Sequence, residues 1–93
     1  MVSVKQATEK AIAFAQDALG TERTAGIRLE EVESTMVGNT DAWLITLSMV
    51  APDQLLGSVI PGFSTPKREY KSFTVLKSNG DVRSMKIREL ADA

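Results

Sequence analysis

Apolar residues recur every three or four positions from the start of the chain: Val4, Ala7, Ala11, Phe14, Ala15 and Ala18, with Ile12 and Leu19 on the flank. Lys5, Glu9, Lys10, Gln16 and Asp17 fall mostly on the other side. That period predicts an amphipathic helix from about Val4 to Leu19. Ser3 is placed as its N-cap, and Gln6, three residues on, completes a capping box. Gly20 is placed to end the helix in a left-handed conformation. The buried stripe is rich in alanine, so the helix can lie close against a sheet. Its polar side is mixed in sign, which fits a core helix better than a membrane-surface one.

Past the polar connection Thr21 to Gly26 the period changes to two. Ile27 and Leu29 alternate with Arg28 and Glu30, which predicts a strand running to about Met36. The alternation slips at Glu30-Glu31, where Val32 carries the next apolar group. A β-bulge is one explanation and an early change of exposed face is another. Glu31 and Glu33 share a face, and Glu30 is expected to point the other way. Gly38-Asn39-Thr40-Asp41 is turn chemistry. From Ala42 to Val50, residues Trp43, Ile45, Leu47 and Met49 share one face. Leu44, Thr46, Ser48 and Val50 form a second, partly polar face. Such a strand suits the centre of a sheet, paired with its predecessor as a hairpin.

Residues 51–66 differ in kind. They hold all three prolines and two of the six glycines, yet also Leu55, Leu56, Val59, Ile60 and Phe63. Prolines exclude a regular central strand there, so a long apolar loop is predicted. Lys67 to Lys77 reads as a strand anchored by Tyr70, Phe73 and Val75. Val82 to Leu90 reads as the last strand. In the hairpin between them, a two-residue Asn79-Gly80 loop would set Phe73 against Lys86. A three-residue loop, Ser78-Asn79-Gly80, instead pairs Phe73 with Met85 and sets Lys77 opposite Asp81.

The order helix, strand, strand, strand, strand predicts an α+β fold: one N-terminal helix packed on a four-stranded antiparallel meander. The 93 residues make a single domain, with the Pro-rich loop at 51–66 as its one irregular feature. The opening residues do not read as a secretory signal, and no apolar run is long enough for a membrane span, so a cytoplasmic protein is expected.

Composition changes this picture mainly by exclusion. The chain has no Cys and no His, which removes thiol nucleophiles, disulfides and the common zinc sites. Net charge is only -1, but it is unevenly spread. Residues 1–66 carry 4 basic and 8 acidic side chains, whereas residues 67–93 carry 7 basic and 4 acidic ones. Complementary strands within one sheet account for that asymmetry, and so does a basic face for an anionic partner.

The Ala-spaced helix (Ala7, Ala11, Ala15) precedes strands around Leu29 to Val32 and Trp43 to Met49. Tyr70, Phe73 and Val75 follow, then the Asn79-Gly80 turn and Val82. This succession resembles PepSY-like domains, and more loosely the cystatin-like helix-on-sheet group. The resemblance implies a non-enzymatic domain of the protease-propeptide or inhibitor kind, and it supplies no catalytic residues.

Candidate chemistry is sparse. Glu30, Glu31 and Glu33 cluster on one strand, with Asp41 and Asp53 as recruits for a carboxylate or metal site, but a solvated acidic edge is the simpler reading. No phosphate-binding glycine loop is present. Lys67, Arg68, Lys71, Lys77, Arg83, Lys86 and Arg88 lie on two adjacent strands. Alternation divides them between two faces, which disfavours nucleic acid as a partner. The expected function is therefore a small protein-binding module of inhibitor or immunity type. Leu55, Leu56, Val59, Ile60, Phe63 and Tyr70 would make the contact, with a homodimer or another protein as partner. The alternative is an apolar ligand pocket between helix and sheet lined by Ala7, Ala11, Phe14, Trp43 and Phe73. A carboxylate enzyme is a third, weaker reading. No cofactor and no metal are expected.

Overall fold

The computed structural model of the protein describes residues 1–50 and 68–88. Helix α1 spans Val4–Leu19 and opens with the expected capping box: the Gln6 amide donates to Ser3 Oγ at 3.1 Å, and the Ser3 amide donates to Gln6 Oε1 at 2.9 Å. Two of the helix's orphan donors are thereby satisfied. At the other end the Gly20 amide donates to the Gln16 carbonyl at 2.9 Å. Gly20 has a positive φ of 87°, as expected of a terminating glycine, but its ψ of 162° is extended rather than left-handed helical. The chain thus leaves the helix directly into the turn at 21–26.

Four strands follow: β1 Arg28–Val37, β2 Thr40–Val50, β3 Arg68–Leu76 and β4 Val82–Arg88. They pair antiparallel in the order β1-β2-β3-β4, so the fold is α+β, an N-terminal helix on a four-stranded meander. Helix α1 packs chiefly over β2, β3 and β4. Ala7, Ala11 and Ala15 are fully buried against Ile45, Leu47, Met49, Phe73 and Val75. Alanine at every fourth position keeps the helix backbone near the pleated surface, and the large side chains come from the sheet. Phe14 meets Phe73 edge-on, with ring centroids 6.3 Å apart and planes at 78°. Val4, Phe14 and Ala18 sit at the exposed margin of the expected stripe, while Ile12 and Leu19 pack against the core.

Two irregularities correct the simple strand readings. In β1 the register shifts between Leu29 and Glu31, so the slip is a bulge at Glu30. In the last hairpin Phe73 does pair with Met85, but the turn is one residue longer than expected. Leu76, not Lys77, lies opposite Asp81, with the Leu76 amide donating to the Asp81 carbonyl at 2.8 Å. A second bulge, at Arg83, restores the register between Val75 and Thr74. Its physical reason is burial. Without the bulge Arg83 would face Val75 in the core, whereas with it Val82 takes that place. Lys77 instead donates its amide to the Asp41 carbonyl at 3.0 Å, extending the pairing of β2 with β3.

Phe73 is the largest fully buried side chain of this layer. Replacing it with alanine removes both the edge contact with Phe14 and the filling of the sheet centre. Phe73→Ala is expected to cost about 3–5 kcal/mol of unfolding free energy, measured by urea denaturation.

Candidate functional site

The face of the sheet opposite α1 is partly polar, with Leu44 and Val50 of β2 as its apolar members. The register puts Arg28, Glu31 and Glu33 of β1, Thr46 and Ser48 of β2, Tyr70 and Ser72 of β3, and Lys86 and Arg88 of β4 on it. Thr46 and Ser48 are buried although no described element packs over them. Charged side chains from the neighbouring strands hydrogen-bond both hydroxyls.

Two networks result. In the first, Ser48 Oγ donates to Glu30 Oε2 at 2.5 Å and accepts from Arg68 Nε at 2.9 Å. Arg68 Nη2 also donates to the carbonyls of Gly26 and of Ser48, the latter at 3.1 Å. Arg68 thus ties the turn after the helix to β2 and β3. Arg28 Nε reaches Glu30 Oε2 at 2.6 Å. In the second network Arg88 crosses from β4, donates to Thr46 Oγ1 at 3.0 Å and pairs with Glu31 on β1. Thr46 Oγ1 and Ser72 Oγ stand 3.5 Å apart beneath it.

The bulge decides which carboxylates meet. Continued from Leu29, strict alternation would put Glu30 on the polar face but send Glu31 and Glu33 to the helix side, so the expected separation of Glu30 from them is corrected by the bulge. Because two residues of β1 oppose one of β2 at this point, Glu30 reaches Ser48 on the same polar face as Glu31. The Ser48 hydrogen bond first, then the one from Arg28, holds the Glu30 carboxyl below the ordinary carboxylate range. Arg28 is correspondingly held more firmly protonated by its hydrogen bond to Glu30. A carboxylate so engaged is a poor proton donor at neutral pH. Among the described residues no group of three acidic side chains is arranged to hold a metal ion. Asp41, a suggested recruit, lies opposite Met36 at the far end of the β1–β2 hairpin, and Asp53 lies outside the described residues.

The remaining expected site residues fall in three places. Leu55, Leu56, Val59, Ile60 and Phe63 lie outside the described residues. Tyr70 is half-buried on the polar face, opposite Ser48 on one side and Arg88 on the other. The residues named for an apolar pocket are in the helix–sheet layer. Ala7, Ala11 and Phe73 have no exposed surface there, and Phe14 is 38% exposed. Trp43 is half-buried, donates Nε1 to the Val2 carbonyl at 3.3 Å, and carries the Lys77 ammonium 4.1 Å from its ring centroid. Lys77 continues to Ser34 Oγ at 2.5 Å. A surface depression near the start of α1 is lined by Val2, Gln6, Glu9 and Lys10, none of them among these five.

The basic residues of the second half divide as alternation requires. Arg68, Lys86 and Arg88 belong to the polar face, Lys71 is buried on the helix side, and Arg83 is taken up by the bulge. Sequence reasoning missed Ser48 and Arg68 as the centre of a network. Their only signal is a polar residue every second position in an otherwise apolar strand. No helix among the described residues is long and apolar enough to cross a membrane. No protein-family model, no curated protein and no solved structure matches the chain.

The Glu30 network predicts an acid sensitivity. Its folded carboxyl lies below the ordinary 4.5, so its contribution is present above that value and is lost as pH falls through the lower, folded one. Between about pH 7 and about pH 3, Glu30→Gln is expected to lose less stability than the wild type in urea titrations.

Proposed function

We propose that the chain is a small non-enzymatic protein-binding module, PepSY-like in its helix-on-sheet arrangement and of inhibitor or immunity type. The observation that carries this reading is the two-sidedness of the sheet. The helix closes one face, and the other presents Tyr70 among Arg28, Arg68 and Arg88 with no described element over it. Tyrosine and arginine are the side chains that most often anchor protein interfaces, because each offers a large contact area together with directed hydrogen bonds.

The charged groups on this face are already hydrogen-bonded to one another, which favours a preorganised contact surface over a reactive site. Three arginines select a partner with acidic groups at the rim of its contact surface. The apolar residues Leu55, Leu56, Val59, Ile60 and Phe63 are proposed as the second part of the contact. Carboxylate catalysis is the weaker reading, since Glu30 is held by Ser48 and Arg28, and Glu31 by Arg88.

The test is affinity capture from native lysate with three baits: wild type, Tyr70→Ala, and the double variant Leu56→Asp, Ile60→Asp. One partner is expected to be recovered by the wild type and reduced about tenfold or more with each variant, a loss typical of an interface anchor. A partner retained equally by all three baits rejects the surface assigned here.

A further inference from the structure

The two outer strands of the sheet carry opposite charge. On β1 the carboxylates are Glu30, Glu31 and Glu33, against a single Arg28. On β4 the cations are Arg83, Lys86 and Arg88, and no carboxylate lies in the strand. Among the described residues neither strand has a neighbour on its outer side. Charged edges are a common defence against strand addition. Here the defence is selective. Two β1 edges repel each other, as do two β4 edges, because like charges would stand opposite one another. A β4 edge meeting the β1 edge of a second copy is attracted.

Geometry permits that meeting. In a four-stranded meander the first and last strands run antiparallel, so a second copy placed alongside continues the sheet with unchanged hydrogen-bond pattern. Side chains also match by face. If Arg88 stands opposite Glu31 and Lys86 opposite Glu33 of the next copy, all four lie on the polar face. Ile87 then stands opposite Val32 on the helix side. Ile87 is 76% exposed, a large apolar side chain on an edge strand. Helix α1 sits chiefly over β2, β3 and β4, so β1 of the incoming copy brings no helix of its own onto this seam.

The ion pair Arg88–Glu31 points the same way. Within one chain Arg88 reaches it only by stretching over Thr46 from the opposite edge of the sheet. Between adjacent copies the same two groups would be separated by a single strand spacing, about 4.8 Å.

We infer that the chain self-associates head to tail, β4 of one copy pairing with β1 of the next, with Lys86–Glu33 setting the register and Arg88 exchanging the Glu31 of its own chain for that of the next copy. The partner is a second copy of this chain, and the contact is heterologous, so it grows beyond two unless the ring closes. This inference rests on the strand edges and not on Tyr70, so its failure leaves the hetero-partner reading standing, and the reverse holds.

The test uses Lys86 and Glu33, because neither forms an ion pair within the described chain and both are exposed. Sedimentation velocity is run over a concentration series at low and high salt on wild type, Lys86→Glu, Glu33→Lys and an equimolar mixture of the two variants. The expected result is mass that grows past a dimer with wild-type concentration and falls with salt. Each variant alone is expected to need at least about tenfold more protein for the same mass, since two charges of one sign now face each other. The mixture is expected to regain wild-type behaviour, because each new charge meets its opposite on the other variant. That recovery also rules out misfolding as the cause of the loss. A monomer at all concentrations overturns the inference. So does a dimer that stops at two, association indifferent to the charge reversals, or a mixture that fails to recover.

Discussion

The close approach of α1 to the sheet governs the other contacts of this molecule. Ala7, Ala11 and Ala15 present almost no side-chain volume, so the helix backbone settles directly over Ile45, Leu47, Phe73 and Val75. Those four residues come from the two central strands. The result is a core one layer thick, concentrated at β2 and β3 and thinning toward both edges. A chain of this size has little more apolar surface to spend. Leu29 and Ile87, on the two outer strands, are left at 43% and 76% exposure because the helix is too narrow to cover them.

That economy shapes the second face. With most of the apolar residues committed to the helix side, the opposite side is centred on hydroxyls and ion pairs, with Leu44 and Val50 flanking them. Thr46 and Ser48 are buried, and among the described residues arginines and a glutamate hydrogen-bond their hydroxyls. Exposed ion pairs stabilise weakly on their own. Hydrogen bonding to a buried hydroxyl gives these a defined geometry, and Arg68 uses it to join the turn at Gly26 to the sheet. The same economy leaves the strand edges to be guarded by charge, acidic on β1 and basic on β4. Charged groups of the second face are held by hydrogen bonds to one another and to the buried hydroxyls.

The two bulges connect these levels. Each inserts one residue where strict alternation would have buried a charge or misplaced one. At Arg83 the insertion exchanges an arginine for Val82 opposite Val75. At Glu30 it keeps Glu31 on the polar face beside Glu30 and returns Val32 to the helix side. The first protects the core, and the second creates half of the polar network. Both are consequences of the period-two pleat meeting a sequence that departs from it by one.

Much of this was legible in the chain. The capping box, the helix boundaries, the strand order and the pairing of Phe73 with Met85 follow from local chemistry and periodicity, and a slip in β1 was legible too, though not whether it was a bulge or a change of exposed face. The partly polar face of β2 was legible as well, but not its partners. That Arg68 would reach Gly26 and that Arg88 would reach Glu31 depended on long side chains spanning strands far apart in sequence. The length of the turn before β4 could not be read either, since a loop of three residues and a loop of four followed by a bulge give the same pairing at Phe73. Local sequence set the elements and the face each one buries. Only their assembly settled which charges face one another, because that depends on the lateral packing and register of whole strands, to which periodicity along a single strand is blind.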